Sequence, residues 1–404
     1  MGSKAWVCGT LVALLAVASL GLLTLPAASA AGSAAHAASH SVALPGTTFV
    51  PAPPTGAKGP DDITRLAVDG LDSGRGLIWT AYQNGINPDG TPGTPGGPTQ
   101  STVAGYDPIT GSLVRTIDVT GKVDGLTGDP DMGKLIATVN EDSHSALNLI
   151  DPETGSVTTY TYHPDPAVSG NGGTDSIAVQ NDRIFLAHSN PNDSTQATEY
   201  EIHLHPATRT AQLTPVFFDN SGATNAVTGA PVRLGLTDPD TNFLMPRSGE
   251  RFAGDLATIS QADGQIVFAS HLRGTAHLKV LYLTDNQTGN VPPIDGFAVA
   301  TSERGTLYVV DAKAGTIQAL DTSGWGKGTV FVGEPSDNGN PLIGVLNLHT
   351  GVITSLGNHF GSPKGLLFVP AHHSEGRGHP SGLAHGGAAP LGIAGPAARI
   401  GRIV

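Results

Sequence analysis

Cysteine is almost absent from this chain: the single one, Cys8, lies within the first thirty residues. Beyond that point, disulfides, thiolate metal sites, CxxCH haem attachment and cysteine nucleophiles are all excluded. A long chain without disulfides must hold itself together by core burial, and this one is long enough to do so. Charged residues are scarce at 14%, and acidic ones outnumber basic ones, giving a formal net charge of −13. A nucleic-acid partner needs a basic footprint to release counterions, and none is visible. Acidity of this kind serves solubility and also suits a cation ligand. Aromatic residues amount to 5%, which gives little support to stacking platforms for a cell-envelope or matrix polysaccharide. Helical periodicity is missing as well: no i, i+3, i+4, i+7 run follows the first thirty residues.

Long apolar runs are absent with one exception. Lys4 precedes an apolar stretch from Leu11 to Leu25, Pro26 breaks it, and Ala28-Ser29-Ala30 offers small residues for cleavage. Residues 1–30 are therefore expected to be a secretory signal peptide, with an uncleaved anchor as the alternative. The mature protein is then soluble, secreted and extracellular, with no membrane span after cleavage. The Ala-rich signal and lack of disulfides point to a bacterial source. Residues 31–60, rich in Ala, Pro and Gly, read as a linker with a closing strand near Thr47 to Val50. Residues 61–370 form the folded unit, and the Gly/His/Ala-rich tail 371–404 reads as disordered.

What the chain does have is glycine and proline, 54 and 30 of them, as expected for short strands joined by tight turns. One turn repeats. Asp107-Pro108-Ile109-Thr110-Gly111 recurs as Asp151-Pro152-Glu153-Thr154-Gly155, with weaker copies at Asp285 to Gly289 and Asn347 to Gly351. In each, the first side chain accepts a backbone hydrogen bond just ahead, and Gly takes the left-handed position; in the two strong copies, Pro also presets φ. A second element precedes these hairpins: Asp, a small residue, an apolar strand, a polar turn and another apolar strand. It begins at Asp124, Asp175, Asp255 and Asp295, with a longer variant at Asp62. The two elements together make a four-stranded unit of about 40–50 residues.

Leu135 to Asn140 followed by the Asp-Pro-Glu-Thr-Gly hairpin, and Leu307-Tyr308-Val309-Val310-Asp311, resemble the YVTN/NHL-type superfamily of β-propellers. The resemblance covers most of 61–370 and implies an all-β fold: a single β-propeller of four-stranded antiparallel blades. Dividing about 310 residues by about 45 per blade favours seven blades, with six as the alternative. In the seven-bladed reading, Gly365 to Val369 and the strand near Thr47 complete the last blade together.

In such a blade, the start of the first strand and the end of the second share one rim. Asp62 with Asn84, Asp124 with Asn140, Asp175 with His188 or Asn190, Asp255 with His271, and Asp295 with Asp311 are thus expected around one central mouth. A ring of carboxylate and amide oxygens suits Ca²⁺ or another hard divalent cation, with Asp124, Asp175 and Asp295 as metal candidates. Asp opening a strand is also a common turn residue, and that plainer reading stands beside the functional one. Asp238-Pro239-Asp240-Thr241-Asn242 has alternating oxygens but lacks the Gly and distal Glu of a calcium loop, and reads as a turn. The insertion 85–101 makes the first unit atypical. The tail histidines His372, His373, His379 and His385 lack an orienting shell.

No GxSxG elbow, HExxH pair or P-loop occurs. Trp79 and Trp325 are too few for the docking repeats of quinoprotein propellers. Two functions remain. One is a secreted, monomeric binding module whose mouth takes a small molecule, a protein or a cell-envelope component. The other is a metal-dependent lactone hydrolase, because Asp295 to Asp311 resembles the gluconolactonase-like branch. That resemblance implies Asp295 as the catalytic base and Asn140 and Asn190 as amide ligands. The branch's N-terminal Glu-Gly-Pro motif is missing, with Gly59-Pro60-Asp61-Asp62 only a loose substitute.

Overall fold

The computed structural model describes residues 46–47, 52–68, 71, 76–166, 172–191, 196–247, 249, 251–336, 340–357 and 359–371. The expected signal peptide and the tail histidines lie outside them. Among the described residues there is no α-helix, and the strands make a β-propeller. Strand β1 (Gly46–Thr47) is followed by a first blade of β2 (Pro60–Leu66), β3 (Leu77–Tyr82), β4 (Gln100–Tyr106) and β5 (Leu113–Thr120). The second is β6 (Val123–Asp129), β7 (Lys134–Val139), β8 (Ala146–Ile150) and β9 (Val157–His163). The third is β10 (Thr174–Gln180), β11 (Arg183–His188), β12 (Ala197–His205) and β13 (Thr210–Phe218). A hairpin of β14 (Gly222–Asn225) and β15 (Pro231–Arg233) then covers the outer edge of the fourth blade. That blade is β16 (Pro239–Leu244), β17 (Leu256–Ser260), β18 (Gln265–Ser270) and β19 (His277–Tyr282).

The last two blades are interleaved. After β20 (Thr284–Asp285), strand β21 (Gly296–Val299) pairs not with its neighbour in sequence but with β24 (Val330–Glu334), which continues into β25 (Leu342–Leu346) and β26 (Val352–Gly357). Strands β22 (Gly305–Asp311) and β23 (Thr316–Asp321) belong to the sixth blade, between innermost β27 (Pro363–Pro370) and outermost β1. The hairpin expected from Asp295 to Asp311 is therefore split between adjacent blades. Both ends of the described chain do build the closing blade, but it is the sixth and not the expected seventh, because the strands group around six innermost ones. The innermost strands touch in the order β2, β6, β10, β16, β21, β27 and back to β2.

Alternation explains why the second strand of each blade reads as a continuous apolar run. Both faces of each blade are buried, so odd and even side chains enter different interfaces. In β3, Leu77, Trp79 and Ala81 pack towards the second blade, while Ile78 and Tyr82 pack towards the sixth. In β22, Leu307 and Val309 face the fifth blade, while Tyr308 and Val310 face the first. Six hydrophobic clusters result, one between each neighbouring pair of blades around the ring.

Near the axis the strands crowd, and this accounts for the small residue after the rim position. A Cβ on Gly125 would lie 2.6 Å from the Asp175 carbonyl oxygen of the next blade. On Gly365 it would lie 2.6 Å from the Asp61 carbonyl oxygen, and on Gly296 1.9 Å from that of Lys364. Backbone cannot yield as a flexible side chain can, so Gly296→Ala is expected to destabilise the protein by about 1–3 kcal/mol or more. Gly222→Ala, with nothing within 4 Å of the new Cβ, should change little. Equal denaturant midpoints for the two variants would contradict the crowding.

Candidate functional site: an acidic mouth at the axis

Each innermost strand except β21 carries a register irregularity close to its start. In β2, Asp61 and Asp62 together oppose Ala81, between the pairs Pro60–Tyr82 and Ile63–Thr80. The same two-against-one arrangement places Asp124 and Gly125 opposite Thr138, Asp175 and Ser176 opposite Ala187, and Lys364 and Gly365 opposite Val310. In β16 the extra residue is Asp240, between Pro239 and Thr241. A β-bulge breaks alternation and re-aims a side chain. Threonines on neighbouring strands satisfy the disturbed backbone: Thr80 Oγ1 donates to the Asp62 carbonyl at 2.7 Å, and Thr138 Oγ1 accepts from the Gly125 N–H at 2.7 Å.

The re-aimed side chains line a cavity of about 370 Å³ at the mouth of the ring. Among the described residues nine carboxylates line it: Asp61, Asp62, Asp124, Glu141, Asp142, Asp175, Asp238, Asp240 and Asp295. Against them stand two ammonium groups, Lys122 and Lys364. Lys122 Nζ lies 2.6 Å from Asp124 and also pairs with Glu141. Lys364 Nζ lies 3.1 Å from Asp61 and 3.2 Å from Asp295, joining the last blade to the first and the fifth. The Gln83 amide donates to Asp61 at 2.9 Å and to Asp124 at 3.3 Å.

Desolvation dominates the acid–base behaviour of this mouth. Burial pushes Asp62 well above the ordinary carboxylate range, with Asp61 adding repulsion. Asp124 is raised by burial against the pull of Lys122. Asp175 is raised by burial and then by Asp240 and Glu141. Asp238 and Asp240 are pushed up to about 6, in both cases chiefly by burial. Asp295 reaches about 8, again chiefly by burial, although Lys364 opposes it. Glu141 goes the other way: burial works against its charge, but Lys122 holds it below the ordinary range.

Of the rim residues expected from sequence, Asp62, Asp124, Asp175, Asn190 and Asp295 line the mouth. Asn84 and Asn140 instead act as clamps at the strand ends. Both take positive φ, 59° and 65°. The Asn84 side-chain oxygen accepts from Lys58 N–H at 3.2 Å and that of Asn140 from Lys122 N–H at 3.0 Å. Their own N–H groups return to the same residues' carbonyls at 2.9 and 2.8 Å. His188 is buried, with Nε2 3.2 Å from the Pro166 carbonyl. Asp311 is buried as well, accepting from Gly361 N–H at 2.7 Å and Ser362 N–H at 2.9 Å just before β27.

Asp255 and His271 lie at the far end of the fourth blade. The innermost strand there is β16, and Leu256 pairs with Leu244 at the end remote from the mouth. The segment Asp238 to Asn242, read as a turn, is the start of that strand and supplies Asp238 and Asp240. Pro239 occupies the first strand position, where proline is tolerated, so a segment with the composition of a turn is a strand. Glu141 and Lys122 carry no repeat signal in the sequence: Glu141 follows Asn140 in the chain, and the Asn140 clamp holds Lys122 beside it. The insertion 85–101 reaches the mouth through Pro88, whose carbonyl accepts from Asp142 N–H at 3.1 Å.

Glu141, Asp175 and Asp240 each offer an oxygen within 4.8 Å of the others. They come from the second, third and fourth blades. Asp124 and Asp295, the other metal candidates from sequence, are tied to lysines, as Glu141 of the cluster is to Lys122.

No protein-family model matches the chain, and no curated protein does. Among solved structures, a periplasmic gluconolactonase of Pseudomonas aeruginosa is similar at 15% identity, over 77% of this chain and 88% of that one, with a TM-score of 0.43. A streptogramin B lyase is similar at 13% identity, over 74% and 68%, with a TM-score of 0.39. A Lactobacillus plantarum protein is similar at 11% identity, over 78% and 89%, with a TM-score of 0.41. Likeness of this order carries nothing about the chemistry of the mouth, which rests on its own residues.

A carboxyl whose folded pKa is raised binds its proton more tightly in the folded state, so it costs stability as pH rises between the two values. For Asp240 that window runs from 3.8 to about 6. Asp240→Asn in chelator-treated protein should therefore raise the melting temperature more at about pH 8 than at about pH 4. A gain independent of pH, or a loss, would show that Asp240 is not held against its charge.

Proposed function

We propose that this chain is an exported binding module whose mouth takes a hard divalent cation of the calcium class and, with it, a small polar ligand. The observation that carries this reading is the convergence of Glu141, Asp175 and Asp240, three carboxylates from three blades with oxygens within 4.8 Å. An all-oxygen donor set fits such a cation, and nine carboxylates against two lysines leave the mouth short of positive charge. Asn190, Ser189 and Gln261 add neutral oxygens to the lining. Calorimetric titration of chelator-stripped protein with CaCl₂ should show saturable binding and a rise in melting temperature. Asp175→Asn and Asp240→Asn should each weaken it by about tenfold or more. Absence of saturable binding, or affinity unchanged in both variants, would overturn the reading.

A second reading, a lactone hydrolase, draws on Asp295. Its carboxyl is pushed up to about 8 at the mouth, close to where a proton-transfer group works best at neutral pH. A divalent cation, when bound, would polarise a substrate carbonyl. Asp295 would hold or release the proton, and Lys364 would orient it. Hydrolysis of δ-gluconolactone that is lost in Asp295→Asn would favour this reading. Rates equal to buffer alone, with and without Ca²⁺, would leave the binding module.

A further inference from the structure

The end of the ring away from the mouth has the opposite character. There the third and fourth blades leave a groove of about 570 Å³ lined, among the described residues, by three arginines and one carboxylate, Asp255. Arg183 comes from the start of β11, Arg247 from the β16–β17 loop and Arg273 from the β18–β19 turn. Three cationic side chains in one groove contrast sharply with a chain whose acids outnumber its bases by 34 to 21.

The three arginines have different tasks. Arg183 is engaged: Nε and Nη2 donate to Glu201 at 2.7 and 2.6 Å, and Nη2 donates to the Leu272 carbonyl at 2.7 Å. It therefore holds the turn that carries Arg273. Arg247 and Arg273 are exposed and make no ion pair within hydrogen-bonding reach among the described residues, although Glu201 lies near enough to feel the charge of Arg273. Beside them the rings of His271 and His277 lie 4.4 Å apart, adding N–H groups to the same wall. A neighbouring cavity of about 670 Å³ shares Arg183 and Arg273, so Arg273 stands where the two meet.

We propose that this groove binds the oxyanion group of a ligand, a phosphate, sulfate or carboxylate, between the guanidinium groups of Arg247 and Arg273. A planar fork of N–H donors matches such an anion in geometry as well as charge. A local positive field is what an anion requires to approach a protein of this net charge. The site is remote from the mouth and independent of the function proposed for it.

Calorimetric titration of the full chain in low-salt buffer with inorganic phosphate, inorganic sulfate and succinate tests this. At least one anion should bind saturably and more weakly as NaCl is raised. Arg247→Ala and Arg273→Ala should each lower affinity by about tenfold. The Asp240→Asn variant, altered only at the mouth, should bind as the parent does. Preference among the three probes identifies the anion class. If Arg273→Ala lowers the melting temperature, Arg273→Gln retains the stem and isolates the charge. No saturable binding of any probe, parental affinity in the Arg247/Arg273 double variant, or loss in Asp240→Asn equal to that in the arginine variants would overturn the proposal.

Discussion

Six innermost strands must approach one axis closely, and most of the molecule follows from that crowding. Gly125, Gly296 and Gly365 sit where the next blade's carbonyl oxygen leaves no room for a Cβ. The residue just before each of them, Asp124, Asp295 or Lys364, is turned towards the only space left, the mouth. Closure of the ring and the making of a polar site are thus one event. The side chains beside the glycines set the chemistry, and the glycines let the blades meet.

The mouth is expensive to maintain. Buried acids facing one another disfavour their own ionisation, and Asp62, Asp175 and Asp295 are all raised by burial first. Glu199 is an instructive contrast. It too is fully buried and pushed up to about 8, but its oxygens accept from Asn242 at 2.9 Å and Thr258 at 2.8 Å. That acid bridges the third and fourth blades with neutral donors and faces no other carboxylate among the described residues. The mouth acids are held in mutual repulsion, relieved only in part by Lys122 and Lys364. Sites that cost stability in this way are typical of places kept for binding or reaction.

Much of the fold was legible because its signals are local. The Asp-x-x-Thr-Gly turns are hairpins as read: Asp107 Oδ1 accepts from Ile109 and Thr110 N–H at 2.9 and 2.8 Å, and Asp151 repeats the pattern. The Asp-small starts at Asp124, Asp175 and Asp295 do open innermost strands. What could not be read is non-local. Nothing between Ala300 and Gly305 signals that the chain leaves one blade for the next, because pairing of β21 with β24 is settled by contacts far along the sequence. Asp255 failed because a second strand beginning with Asp looks like a first strand. Lys364 carries no repeat signal, because the repeated strand starts all open with Asp, while the same bulge accepts either charge.

The interleaving of the last two blades has a consequence for how the ring assembles. In a simple repeat array each unit is contiguous, so units can form and be lost one at a time. Here β22 and β23 of the sixth blade lie between β21 and β24 of the fifth, and the sixth blade's innermost strand arrives only at Pro363–Pro370. Neither blade can be completed before the other is nearly so, and β1 is joined only through them. About a third of the ring therefore behaves as a clasp that shuts once, late and as a whole, with the slow, high-contact-order closure that such long-range pairing brings.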